Sequence, residues 1–152
     1  MNAKTVDAIS MLTSDHREVK EMLKQYEELG DRAKSKKKIL ADEICTALTL
    51  HAMVEEEIFY PALRAASKEA GDLLDEAEVE HASAKELIAQ IQEMDPDDAL
   101  YDAKVKVLGE QIEHHVKEEE KEMFPVAKKA GLDLAALADE MLSRKEEISA
   151  TL

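Results

Sequence analysis

The chain has 152 residues, a length that suits one domain with a core of ordinary size. Hydrophobic residues make up 45% and charged residues 36%, but aromatic residues only 3%, which is typical of a helical protein and not of a β-sandwich. The net charge of −15 disfavours nucleic acid and anionic lipid as partners, and no segment approaches the roughly 20 apolar residues of a membrane span. We expect a cytoplasmic protein without a signal peptide, and its single cysteine, Cys45, excludes an intrachain disulfide.

Apolar residues spaced three and four apart predict four long helices and a shorter tail helix. The predicted helices span about residues 6–29, 35–58, 72–95, 97–125 and 132–148. Pro61 is expected to break or kink the second helix and Pro125 to end the fourth, and Lys36-Lys37-Lys38 is interpreted as a solvated helix start. Short connections make neighbouring helices antiparallel, so the sequence predicts an all-α, up-down-up-down four-helix bundle. Residues 1–152 are expected to form a single domain, with the bundle at about 5–130.

Six polar residues stand where the apolar period of these helices calls for core residues. They are four histidines and two glutamates: His16, His51, Glu55, His81, His115 and Glu119. A single histidine on an apolar face is most often hydrogen-bonded within the core, but a buried carboxylate without a partner costs several kcal/mol. The buried stripes offer no arginine or lysine to compensate for two such carboxylates. A bound cation is the simplest explanation.

The spacing of these residues fits metal ligands and occurs twice. HAMVEEEIFYPAL at 51–63 and HVKEEEKEMFPVA at 115–127 both contain His-x-x-x-Glu, which places the two side chains on one face of a helix. Two copies predict two ions, with each glutamate spanning both ions at a typical separation of about 3.5–4 Å. Imidazole with carboxylate suits iron or manganese, and zinc less well. His114 points about 100° away from His115 and is expected at the rim.

At this point the chain resembles the hemerythrin-like, or HHE cation-binding, domain family. The resemblance covers most of the chain and rests on four segments: Asp15-His16, His51-x-x-x-Glu55-Glu56 with Tyr60-Pro61, Glu80-His81, and His115-x-x-x-Glu119-Glu120 with Phe124-Pro125. It implies a four-helix bundle with a non-heme diiron centre, two iron ions joined by an oxo or hydroxo bridge, for which manganese or zinc can substitute. By the same resemblance, His16 and His51 would hold one iron and His81 and His115 the other, with Glu55 and Glu119 bridging.

The chain departs from oxygen-carrying hemerythrins, which use five histidines. Ala77 and Lys85 stand one turn on either side of His81, so this helix offers no fifth histidine. Each iron would keep one open position unless a further side chain fills it, the candidates being Tyr26, Tyr60, Tyr101, Glu78 and Glu80. Tyr60 is interpreted as packing, because its counterpart in the repeat is Phe124. Glu56 and Glu120 are expected as partners of the ligand histidines.

Two functions are therefore expected. The first is binding or sensing of O2, NO or peroxide, favoured because the sequence shows open metal positions and no evident substrate cavity. The alternative is a diiron enzyme of stress response with catalase-like, peroxidase-like or iron-centre-repair activity. A purely structural bundle remains a third interpretation, whereas a ferritin-like oxidase is disfavoured because only one Glu-x-x-His unit, at Glu78 and His81, is present.

Overall fold

The computed structural model describes residues 6–151, which form α-helices and two π-helical turns. The elements are α1 (Ala8–Glu28), α2 (Lys34–Val54), a first π turn (Glu55–Phe59), α3 (Tyr60–Ala66), α4 (Gly71–Glu93), α5 (Tyr101–Glu118), a second π turn (Glu119–Met123), α6 (Phe124–Lys129) and α7 (Leu134–Ser149). α3 and α6 continue α2 and α5, so the four-helix bundle predicted from the sequence is confirmed. None of the helices in the described residues is long and apolar enough to cross a membrane.

Side chains at the helix ends determine where several of these helices begin. Asp7 accepts a hydrogen bond from the Ser10 N–H at 2.8 Å and caps α1, and Asp133 caps α7 through the Ala136 N–H at 3.0 Å. The fourth helix begins at Tyr101 and not near Asp97. Aspartate side chains hold the preceding turn, because Asp98 accepts from the Asp95 N–H and Asp95 accepts from the Asp97 N–H, both at 2.9 Å.

The two prolines do not end their helices, contrary to the prediction for Pro125. In the first π turn the Tyr60 N–H donates to the Glu55 carbonyl, five residues back, and in the second the Phe124 N–H donates to Glu119 in the same way. Each proline then stands in the first turn of the next α-helical segment, where its missing N–H costs no intrahelical bond. Each helix therefore accommodates its proline by a local change from α-helical to π-helical hydrogen bonding, and the helix continues.

Two apolar clusters fill the bundle, one on each side of the layer that contains the histidines. The Phe59 cluster contains Leu12, Val54, Phe59, Leu63 and Phe124 among its buried residues, and the Ile44 cluster contains Val19, Ile44, Leu48, Ile88 and Leu108. Along α1, His16 lies between Leu12 of one cluster and Val19 of the other. α7 packs on the outside of the bundle against α1, α2 and the first π turn.

One basic residue of the predicted solvated helix start is buried. Lys37 is 3% exposed, and its Nζ lies 3.1 Å from both carboxylate oxygens of Asp102. The Tyr26 hydroxyl donates to the same carboxylate at 2.6 Å. Because α2 begins at Lys34, Lys37 lies one turn inside the helix and faces α5, so it links three helices and is not part of a solvated surface.

Candidate metal centre

The six polar core residues identified in the sequence form one layer across the bundle. The four long helices supply one histidine each, and the two glutamates are the first residues of the two π turns. All six side chains are buried, with the histidines 7–8% exposed, Glu55 0% and Glu119 1%. The structure therefore brings together every residue that the sequence predicted as a ligand.

Within this layer the Nε2 atoms of the histidines face the carboxylates of the glutamates. The Nε2–oxygen distances are 3.0 Å for His16–Glu119 and 3.3 Å each for His51–Glu55, His81–Glu55 and His115–Glu119. The helices form two hairpins, α1 with α2 and α4 with α5. Each glutamate thus contacts one histidine of its own helix and one from the other hairpin. Ligand atoms converge at two places, one formed by His16, His51, Glu55 and Glu119 and the other by Glu55, His81 and His115.

Several of these atoms are buried without a hydrogen bond. They are Nε2 of His16 and His51, both carboxylate oxygens of Glu55 and Oε1 of Glu119. His16 Nε2 is close to Glu119 Oε1, but the contact does not have hydrogen-bonding geometry. Buried polar atoms in native proteins are nearly always satisfied, so several orphans at one point indicate a missing partner.

A cation fits between these atoms. Two ligand atoms 3.0–3.3 Å apart subtend roughly a right angle at an ion that lies about 2.1 to 2.3 Å from each. Ligand–ion–ligand angles near 90° are typical of octahedral coordination, and a set of imidazoles and carboxylates suits iron or manganese. The donor set therefore fits the pair of metal ions that the family resemblance implies.

A second row of carboxylates holds the histidines from behind. Each Nδ1–H donates to a carboxylate: His16 to Glu120 at 2.7 Å, His51 to Asp15 at 2.9 Å, His81 to Glu56 at 2.6 Å and His115 to Glu80 at 2.8 Å. An ionised carboxylate only accepts hydrogen bonds, so the proton of each neutral imidazole is held at Nδ1. A neutral imidazole held in this way presents its Nε2 lone pair toward the carboxylates of the layer, where it can bind a metal.

The pairing of these carboxylates with the histidines is the same in both copies of the repeat. The acid that precedes the first histidine of each hairpin supports the second histidine of the same hairpin, as Asp15 does for His51. The acid that follows each central glutamate supports a histidine of the other hairpin, as Glu56 does for His81. Glu56 and Glu120 take the positions expected from the sequence. The sequence interpretation missed Asp15 as a partner and considered Glu80 only as a ligand, although their equivalent places beside His16 and His81 were the available signal.

The carboxylates also pair with other side chains on their outer side. These partners differ between the half of the centre that contains His16 and His51 and the half that contains His81 and His115. Asp15 pairs with Lys145 of α7, whereas Glu56 pairs with Lys85 at 2.6 Å. Glu80 lies 3.5 Å from His114, whose side chain is 63% exposed at the rim, as expected. The tail helix α7 thus reaches the centre through Lys145 and Asp15, on the side of His51.

Tyr60 has a role that the sequence interpretation did not assign to it. Its hydroxyl donates to Glu119 and lies 3.4 Å from His81 Nε2 and 3.3 Å from His115 Nε2. In α-helical geometry Phe59 would stand above Glu55, but the π turn places Tyr60 there instead. The equivalent residue, Phe124, has no hydroxyl and stacks on His16 with 6.1 Å between ring centroids.

The charges of the layer shift the pKa values of its members. Burial lowers the pKa of His51, but Glu55 and Asp15 more than offset this and raise it to about 10. Burial likewise opposes the charged form of His115, while Glu119 and Glu55 raise its pKa to about 10. Burial and the carboxylates of Glu55 and Glu119 raise the pKa of Tyr60 well above its usual value, so its hydroxyl keeps its proton.

The layer also borders a cavity that was not evident from the sequence. It has a volume of about 300 Å³ and lies on the side of the Ile44 cluster. All four ligand-type histidines line it, together with Val19, Leu48, Ala84 and Ile88. A cavity of this kind forms between side chains from four helices, so the periodicity of any one helix does not reveal it.

Comparisons with known proteins agree with this architecture. The sequence pattern of the Hemerythrin HHE cation binding domain matches residues 7–127. The chain is 26% identical over 113 residues to the uncharacterized proteins Rv2633c of Mycobacterium tuberculosis and Mb2666c of Mycobacterium bovis, which covers 72% of this chain and 68% of each relative.

A solved structure has the same fold. It is the crystal structure of a hemerythrin HHE cation binding domain-containing protein from Mycobacterium kansasii, described as an Rv2633c homolog, and it superimposes with a TM-score of 0.80 at 24% sequence identity. The match covers 96% of this chain and 89% of the other. With the family pattern spanning most of the sequence, the chain belongs to the hemerythrin HHE cation-binding domain family.

Proposed function

We propose that the chain is a non-heme diiron protein that binds or senses O2, NO or peroxide at a His4Glu2 site. The observation that carries the proposal is the convergence of buried, unpartnered nitrogen and oxygen atoms from both hairpins. His16 and His51 would hold one ion and His81 and His115 the other, with Glu55 and Glu119 shared. Such a pair of ions, when bound, supplies redox chemistry and open positions for a small ligand.

The protein's own residues prepare this site in three ways. The second row of carboxylates fixes the histidine tautomers, so the metal-facing nitrogens need no rearrangement. The Phe59 cluster closes one side of the layer and keeps water from it. Tyr60 holds a proton at its hydroxyl, within 3.4 Å of both histidines of the second half.

The test of binding is spectroscopic. Iron-loaded, reduced protein exposed to O2 or NO is expected to develop charge-transfer absorption that fades when the gas is removed. Rapid and irreversible oxidation by O2, with no spectral response to NO, would rule out reversible binding of both gases. The variant His114→Ala serves as the matched control, because it removes an exposed histidine next to His115 and should leave the spectrum unchanged.

Turnover of peroxide is the second candidate function, and two observations favour it. The Tyr60 hydroxyl provides a hydrogen-bond donor beside one half of the site, and the cavity gives a route to the histidines. Oxygen evolution from added hydrogen peroxide should exceed that of free iron and be lost in His51→Ala but kept in His114→Ala. A rate no greater than that of free iron would exclude this function.

A further inference from the structure

The cavity beside the histidine layer is larger than the ligands considered so far require. O2, NO and hydrogen peroxide contain two heavy atoms each, whereas the cavity has a volume of about 300 Å³. A protein cavity of about 150 Å³ holds one benzene molecule, and binding sites for small organic ligands begin at about 300 Å³. By this measure the cavity accepts a molecule with about a dozen carbon atoms.

The buried walls of the cavity are apolar beyond the imidazole rings. Val19, Leu48, Ala84 and Ile88 are all buried residues of the Ile44 cluster. The Thr49 hydroxyl, at the wall, already donates to the Cys45 carbonyl at 2.8 Å. An ordered water needs two to four polar partners, which the apolar part of the wall does not supply, so that part of the interior favours hydrocarbon over water.

The charges around the cavity select against anions. Asp15 and Glu80 lie on its lining, and each holds a hydrogen bond to a histidine. The lysine in the lining, Lys85, is already paired with Glu56 at 2.6 Å. A carboxylate-bearing ligand such as a fatty acid would meet these two acids at the lining, in a chain of net charge −15.

We infer that this cavity binds an uncharged organic molecule with an apolar body of up to about a dozen carbon atoms. A polar end group, such as the O–O group of an organic hydroperoxide, would meet the imidazoles, which are the polar part of the buried lining. That extension rests on the proposed function, and it makes peroxides with an apolar substituent a substrate class for the site. The binding itself needs no metal chemistry.

The experiment uses n-butylbenzene as an inert neutral probe and measures its affinity by calorimetry on metal-free and on zinc-loaded protein. Ala84→Leu places a larger side chain in the cavity wall, and Ala89→Leu is the matched change at an exposed position of the same helix. The wild-type chain and Ala89→Leu should bind the probe with a dissociation constant of roughly 0.1–1 mM. Ala84→Leu should weaken binding by about tenfold or more, while zinc content stays the same in all three proteins.

The position of the bound probe is measured in the wild-type chain, independently of any variant. Nuclear Overhauser contacts from the probe should reach methyl groups of Val19 and Ile88 and not those of Leu63 or Leu74, which lie in the Phe59 cluster. Absence of binding to the wild-type chain, equal binding to Ala84→Leu, or contacts only to Leu63 and Leu74 would each overturn the inference. Failure to take up metal with probe binding intact would instead count against the proposed function alone.

Discussion

The two halves of the centre are built to the same plan but differ in the aromatic residue beside their histidines. In each half a pair of histidines lies with ring centroids 4.9 Å apart, and a carboxylate supports each ring. Beside His81 and His115 stands the hydroxyl of Tyr60, and beside His16 stands the plain ring of Phe124. The repeat therefore supplies two matched candidate metal positions, and the exchange of Tyr60 for Phe124 between the copies gives them chemically different surroundings.

Removal of the metal should have the largest effect, and it should weaken both halves together. Glu55 and Glu119 each face histidines of both hairpins, so in the metal-free protein only these histidines balance the two buried carboxylates. At free metal about a thousand times above the dissociation constant, binding adds about 4 kcal/mol to the free energy of unfolding. Urea unfolding with and without a chelator measures this difference, and equal midpoints would refute metal-linked stability.

Loss of one histidine tests whether the halves hold separate ions. His51→Ala and His81→Ala should each reduce bound metal from two equivalents to one or fewer, because each removes a ligand from a different half. His114→Ala should keep two equivalents, since that side chain is 63% exposed at the rim. Metal analysis of the three purified variants gives the answer. Two equivalents retained in His51→Ala would mean that this half is not a metal position.

The dependence of stability on pH should be shared by the two halves. In the metal-free protein the pKa of His51 and that of His115 are about 10, above the usual 6.5, so their charged forms stabilise the fold. This stabilisation is fully present below pH 6.5 and is lost as the pH rises through 10. Metal binding displaces the same protons, so it should become tighter over that interval.

Unfolding by urea at pH 6, 8 and 10 checks this prediction. The metal-free protein should lose stability as pH rises, and the difference between the metal-loaded and metal-free proteins should widen. A metal-free protein that gains stability between pH 6 and 10 would show that these histidines are not held in their charged form.

The exchange of the two aromatic residues addresses the asymmetry itself and should have the smallest effect on stability. Tyr60→Phe leaves one oxygen of Glu119 without its donor, at a cost of about 1–3 kcal/mol in the metal-free protein. In iron-loaded protein, Mössbauer spectra should show two different iron environments for the wild type and more similar ones for Tyr60→Phe. Phe124→Tyr is the matched change in the other half. Identical iron environments in the wild type would contradict an asymmetry caused by Tyr60.

The regular part of the molecule was predictable from the sequence. The helical period predicts the bundle, which is confirmed, and it puts the six polar residues at inward-facing positions, where the structure has them. Their binding of metal stays a prediction. The position of Tyr60 was not predicted, because the helix departs from the α-helical period there. The π turn after Val54 rotates Tyr60 toward the centre in place of Phe59.

Other features depend on contacts between helices and have no local signal. Lys37 belongs to a basic run that resembles any solvated helix start, and only the position of Asp102 on α5 explains its burial. The cavity results from the sizes of side chains on four helices that meet at one level of the bundle. In contrast, the hydrogen bonds of Asp15 and Glu80 to ligand-type histidines could have been predicted from the repeat, because each of these acids directly precedes a histidine of the layer.

The central claim is that the layer between the two apolar clusters holds two metal ions. The most direct measurement is anomalous scattering from crystals of freshly purified, metal-loaded protein, combined with metal analysis. We predict two peaks about 3.5–4 Å apart, one beside His16 and His51 and one beside His81 and His115, with two equivalents of metal per chain. A single peak, or metal bound only outside this layer, would contradict the account.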